Sequence, residues 1–157
     1  MSISISGGRL WGDDEKRIGN VVRKIFRACF VDHKDVDVSV TFVLDLEMRA
    51  LNRRWRGKDK TTDVLSFSAV EGEFVAGDDK LLGDLVIAVE TAERQADEHG
   101  HDVDVEVGVL VAHGLVHLCG LDHERTADEA EQQVSVEMNV LSEAKLPVDV
   151  ALAGRGF

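Results

Sequence analysis

The run His113-Gly114-Leu115-Val116-His117-Leu118-Cys119-Gly120-Leu121-Asp122-His123 constrains this chain more than any other stretch. It carries three of the six histidines, spaced four and then six residues apart. Residues four apart share one face of an α-helix, with Cβ atoms about 6 Å apart. His113 and His117 can therefore aim imidazole nitrogens at one ion, bonded at about 2.0–2.1 Å. A continued helix would carry His123 to another face. Gly120 removes that obstacle, because glycine takes the left-handed conformation that ends a helix and turns the chain back. One histidine on an apolar helix is ordinarily a hydrogen-bonded core residue. Three at this spacing, with a helix-ending glycine between the second and third, read as a metal triad. Three neutral imidazoles plus a position left for water describe a catalytic zinc site, since structural sites are closed and four-coordinate. The expectation is one Zn²⁺ per chain.

The ligand spacing is that of the H-E-x-x-H-x-x-G-x-x-H pattern of metzincin proteases, with Gly114 in place of the glutamate. Glycine cannot take a proton, so the run offers a protease-like metal site without its base. Cys119 is a conceivable further ligand, but about 100° of helical rotation per residue turns it well away from His113 and His117.

The formal net charge of −12 and pI near 4.8 argue against a non-specific nucleic-acid binder, because an acidic surface repels phosphate. The distribution says otherwise. Arg49, Arg53, Arg54, Arg56, Lys58 and Lys60 put a third of the 18 basic residues in one short segment, in which Asp59 is the one acidic residue. A solvated helix face would explain such a run, but nothing requires basic residues to cluster in so acidic a chain. The cluster is read as a phosphate-binding surface. No apolar run approaches the ~20 residues that span a membrane. Met1-Ser-Ile-Ser-Ile-Ser has no secretory pattern. Cys29 and Cys119 lack paired spacing and read as buried thiols in a reducing cytoplasm.

Length and patterning indicate a single domain over residues 1–157, with a tail after Pro147 expected to be loose. Ser2–Ser6 alternates as a short strand, broken by Gly7-Gly8. Asp13–Phe30 has helical spacing (Ile18, Val21, Val22, Ile25, Cys29), with acidic residues in its opening turn. Val36–Leu44 is a β-branched strand. Asp45 is expected to cap a helix running to about Trp55, with Leu46, Ala50 and Leu51 inward. Val64–Val70 and Leu81–Val89 read as strands around a polar loop, and Thr91–His99 as a helix. His33 is read as a loop residue, and His99 and His101 as exposed residues flanking Gly100. Val103–Cys119 alternates like a strand, yet its length and the ligand geometry favour one buried helix. Ala127, Ala130, Val134, Met138 and Leu141 stripe a last amphipathic helix. The fold class expected is α+β (α/β-like): a small mixed sheet with helices packed on it, one of them the zinc helix.

The histidine run resembles the signature H-G-x-L-H-L-x-G-[YF]-D-H of the YbeY family of bacterial endoribonucleases, with Val116 and Leu121 as departures that touch no ligand. Leu51-Asn52-Arg53-Arg54-Trp55-Arg56-Gly57-Lys58-Asp59-Lys60-Thr61-Thr62-Asp63-Val64-Leu65-Ser66-Phe67 is similar to the family's L-N-x-x-[YW]-R-x-K-D-x-P-T-D-V-L-S-F-P. Thr61 and Ser68 replace its prolines, which bears on loop rigidity and not on chemistry. Leu82-Gly83-Asp84 resembles L-G-D-I-x-I, where Asp84 reads either as a group ordering the site or as a strand-entry turn. The similarity spans most of residues 36–143.

The resemblance implies a single-strand-specific endoribonuclease that matures ribosomal RNA at the small-subunit 3′ end, acts in ribosome quality control, and has RNA and the ribosome as partners. It also implies that Arg56 lines the cleft. Arg56 and His113 are then expected to carry catalysis, His113, His117 and His123 to bind metal, and Arg53, Arg54, Lys58 and Lys60 to contact RNA. Trp55 is read as a core anchor. Either water or the RNA's own 2′-OH attacks. Two rival readings are a metallopeptidase, opposed by Gly114, and a non-catalytic assembly factor with structural zinc. By themselves the histidines support only a metal-dependent hydrolase.

Overall fold

The computed structural model describes residues 2–29, 37–68, 81–118 and Ser142. Strand β1 (Ser2–Ser6) leads through a 3-10 segment (Gly8–Asp14) into helix α1 (Glu15–Cys29). Strand β2 (Asp37–Val43), helix α2 (Asp45–Arg56), strands β3 (Val64–Ser68) and β4 (Leu81–Ala88), and helices α3 (Val89–His99) and α4 (Val103–Val116) follow. The strands form one four-stranded sheet ordered β1-β2-β4-β3. β1, β2 and β4 run parallel and β3 is antiparallel to β4, the small mixed sheet expected from the pattern.

Strict alternation sends the two sheet faces to different cores. Val38, Val40 and Phe42 of β2 and Leu85 and Ile87 of β4 join the larger core with α1 and α4. Val43, Val86 and Ala88 face the other way and meet Met48 of α2, together with Leu65 of β3. Helix α4 is apolar nearly all round and is correspondingly enclosed, with Glu106–Ala112 and Gly114–Val116 all buried. A strand would have put Val103, Val105, Val107 and Val109 on one face and left Glu106 and Gly108 on the other; both are buried along with Val107 and Val109, as a helix enclosed on every side requires.

Helix α2 departs from expectation at its start and on its inward face. Leu44, in extended conformation, occupies the cap position, and no side chain caps the helix. Asp45 is the first helical residue and its carboxylate reaches across to α3 instead. It accepts 2.7 Å hydrogen bonds from Thr91 Oγ1 and Arg94 Nη2, while the Asp45 N–H donates to Glu90 Oε1 at 2.8 Å. The inward positions are Met48 and Asn52, one turn apart; Leu46 is 81% exposed and Ala50 is also exposed, with Leu51 half-buried. Once Met48 meets the sheet, Leu46 lies about 200° away around the helix. Asn52 is buried because it has work for its amide: Nδ2 donates to Lys60 O at 2.8 Å and holds the following loop against the helix.

Partial burial raises the Asp45 pKa, but the bonds from Thr91 and Arg94 and the Arg94 charge outweigh it, so the carboxyl titrates below its ordinary 3.8. A depressed folded-state pKa contributes stability above the unfolded-state value that is lost as pH falls through the folded one. Asp45→Asn is expected to cost about 1–2 kcal/mol at pH 7. In urea titrations the gap from wild type should hold down to about pH 5 and close below about pH 4. A gap independent of pH would remove the charged pairing from the account.

Candidate active site

Helix α4 brings the first two histidines of the run together. His113 and His117, both half-buried, place their Nε2 atoms 2.9 Å apart. Their ring centroids are 4.4 Å apart and the planes are inclined at 65°. Two nitrogen donors on one tetrahedral ion, each about 2.05 Å from it, lie about 3.3 Å from each other. The pair thus needs to open by only a few tenths of an ångström to share a metal, and the donor set fits zinc. His123, Gly120 and Cys119 lie outside the described residues, as do His33 and the last helix expected from the sequence.

Gly114 has a steric reason to be glycine. A Cβ there would lie 2.7 Å from Leu85 Cδ2, 3.1 Å from Leu85 Cδ1 and 3.3 Å from Ser66 Oγ. The turn carrying His113 is seated directly on β3 and β4, and the missing side chain permits that approach.

Ser66 also meets Arg56. At the end of α2 the chain reverses at Gly57, whose φ of 71° lies in the left-handed region that favours glycine. Arg56 Nη2 donates to Ser66 O at 2.7 Å, and its Cζ stands 4.9 Å from the Phe67 ring centroid. One residue of β3 therefore touches the arginine through its carbonyl and faces the His113 turn through its hydroxyl. The sequence places Arg56 and His113 57 residues apart; the antiparallel β3–β4 pair and α4 packed on it close the distance.

Arg53, Arg54, Lys58 and Lys60 are exposed around this end of α2. Arg49 is engaged elsewhere, donating to both Asp59 oxygens at 2.9 and 3.2 Å. Those hydrogen bonds, then the Arg49 charge and a smaller contribution from Arg53, hold the Asp59 carboxyl below its ordinary value. Asp59 thus offsets Arg49 more directly than it offsets the rest of the cluster. Trp55 is no core anchor. It is 43% exposed, edge-on to Phe67 at 6.1 Å and with Arg54 Cζ 5.1 Å from its ring centroid, because the ring it meets belongs to the edge strand β3 and is itself only half-buried. Asp84 lies exposed within β4, opposite Ser39 and Phe67, not in a turn leading into the strand.

His99 and His101 overturn the exposed reading. Their side chains retain 16% and 3% exposure, and each meets the fully buried carboxylate of Glu106. His99 Nδ1 lies 3.1 Å and His101 Nε2 2.7 Å from Glu106 Oε1. The polar residues around Gly100 suggested solvent; Glu106, the last acidic residue of Asp102-Val103-Asp104-Val105-Glu106 and directly ahead of the apolar run to Ala112, was the signal that a buried charge needed partners there.

The model of the family described as Endoribonuclease YbeY matches residues 11–145. The Aquifex aeolicus protein named Endoribonuclease YbeY is 50% identical over 108 residues, 69% of this chain and 70% of its own length. The protein of the same name from Alkaliphilus oremlandii is 42% identical over 130 residues, 77% of this chain and 86% of its own. Among solved structures, the solution structure of TM1509 from Thermotoga maritima superposes with a TM-score of 0.59 at 28% identity, covering 92% of each chain.

Proposed function

The chain belongs to the YbeY endoribonuclease family, and on that premise we propose that it cuts single-stranded ribosomal RNA with a zinc ion held by His113, His117 and His123. It is an enzyme that cleaves RNA phosphodiester bonds in ribosomal RNA processing. The observation that carries the proposed site is the convergence of His113 Nε2 and His117 Nε2 at 2.9 Å, on the helix turn that packs against Ser66 beside Arg56.

Zinc in this position would supply Lewis-acid polarisation of the scissile phosphate. The protein does the rest. His113 and His117 present ring nitrogens from one rigid helix face, so little ordering entropy is lost on binding the ion. Arg56, its guanidinium held by Ser66 O and the Phe67 ring, directs a cationic fork at phosphoryl oxygens. Arg53, Arg54, Lys58 and Lys60 attract the neighbouring phosphates despite the net charge of −12, because screening beyond about 8–10 Å leaves local charge in control. Gly114 offers no proton acceptor, which disfavours peptide hydrolysis of the metzincin type and leaves water or the RNA 2′-OH as nucleophile. Among the described residues no helix is long and apolar enough to cross a membrane; the site of action proposed is the cytoplasm, on the ribosome.

The test is incubation of the full-length protein with matched single-stranded and duplex RNAs. Cleavage of the single strand alone, abolished by chelator and restored by Zn²⁺, is expected. A 5′-phosphate on the product would identify water as the nucleophile, a 2′,3′-cyclic phosphate the 2′-OH. Cleavage that survives complete metal removal would overturn the metal site.

A further inference from the structure

We propose that His99, His101 and Glu106 form a second metal site, for a divalent first-row transition ion, separate from the His113–His117 pair. The left-handed Gly100, with a φ of 71°, closes α3 and turns the chain so that the residues on either side of it both face the first turns of α4. The donor atoms of the three side chains all lie within 4.8 Å of one another. Both imidazoles converge on the same oxygen, with Nδ1 of His99 at 3.1 Å and Nε2 of His101 at 2.7 Å from Glu106 Oε1. Separations near 3 Å between donors are those of ligands surrounding one ion at about 2.0–2.1 Å.

The second carboxylate oxygen is oriented independently. Gln95, with its amide turned to donate, reaches Glu106 Oε2 at 3.0 Å and Asp63 Oδ2 at 3.2 Å. A ligating carboxylate held in this way by an outer hydrogen bond is a recurrent feature of metal centres. Two imidazoles and a carboxylate form the His₂Glu donor set of zinc hydrolases, and imidazole nitrogen selects zinc, cobalt or nickel over magnesium and calcium. The 16% exposure of His99, against 3% and 0% for its partners, gives an ion its way in.

Glu106 precedes His113 by seven residues on the same helix, about 10 Å along the axis. Metals that cooperate in phosphodiester cleavage lie about 3.5–4 Å apart. The second ion therefore does not share a scissile phosphate with the first. It ties the end of α3 to the start of α4 and, through Gln95 and Asp63, to the start of β3. Asp63 fixes that start itself, accepting from the Val64 N–H at 2.7 Å.

Bound metal is counted by elemental analysis after equilibration of the full-length protein with Zn²⁺, in wild type, His99→Ala, His113→Ala and the double variant. His99→Ala should lose one equivalent relative to wild type. His113→Ala should keep an equivalent that the double variant loses, whatever happens at the first site. Equal counts in wild type and His99→Ala would overturn the proposal and leave a closed hydrogen-bonded cluster. Circular dichroism reports whether His99→Ala folds. If it does not, Glu106→Gln, which keeps the size and hydrogen-bonding shape, decides. A competition titration should then show at least tenfold weaker binding of that equivalent, and unchanged affinity would refute the site.

Discussion

Gly114→Glu is expected to lose about 3 kcal/mol or more of folding stability and to gain no general base. The position carries the glutamate in the metzincin pattern, so the substitution looks like the restoration of a missing catalytic group. Packing forbids it. A Cβ at residue 114 would come within 2.7 Å of Leu85 Cδ2, and Leu85 is fully buried between α4 and the sheet, so its methyls have no empty space to move into. Overpacking of this kind costs about 1–3 kcal/mol. The rest of the glutamate would add a carboxylate beside Leu85 and Ser66, and desolvating an ionised group adds several kcal/mol unless it is paired. Replacing glycine within a helix returns at most about 1 kcal/mol. Gly114→Ala isolates the first and last contributions and should fall between about zero and 2 kcal/mol of destabilisation. Urea midpoints followed by circular dichroism would measure both. A Gly114→Glu protein as stable as wild type would show that α4 can lift from β4, and the steric account of the glycine would fail.

That result bears on what a sequence can disclose. The spacing of His113 and His117 was legible because helical periodicity is local: four residues bring two rings together without reference to the rest of the chain. The strand of Val38–Phe42 was legible for the same reason, through alternation, and that of Leu85–Ala88 as a short unbroken apolar run. The inward face of α2 was not. Leu46 is apolar but 81% exposed, while Asn52 is polar but buried, because the decisive contacts are with Val86 and Lys60, distant or lying beyond the helix. Trp55 makes the same point: an aromatic ring anchors a core only where a core is opposite, and opposite Trp55 stands the half-buried Phe67 of the edge strand β3. Glu106 drew no attention because its partners come from another helix end. A carboxylate among valines is informative, but only the fold says that His99 and His101 answer it. Gly114 was seen for the group it lacks; its positive role appeared once Leu85 was placed against it.

Arg56→Ala is expected to lower the rate of RNA cleavage by about 10²–10³-fold, the scale of deleting one preorganised donor at a developing negative charge. The guanidinium is held in place. Ser66 O accepts from Nη2 at 2.7 Å, and the Phe67 ring centroid lies 4.9 Å from Cζ, so the fork pays little orientation entropy when it meets a phosphate. Affinity for single-stranded RNA should fall much less, since Arg53, Arg54, Lys58 and Lys60 still neutralise phosphates around the same helix end. Arg56→Lys should recover only part of the rate. An ammonium keeps the charge but has no plane to lie on Phe67 and cannot grip two oxygens at once. The measurement is single-turnover cleavage of a short single-stranded RNA by proteins matched for metal content, with binding followed separately by fluorescence anisotropy. A transition-state role predicts a large loss in the chemical step with near-constant affinity, and a binding role predicts the reverse. Equal single-turnover rates for wild type and Arg56→Ala would take the arginine out of the mechanism and leave it as a clasp between α2 and β3.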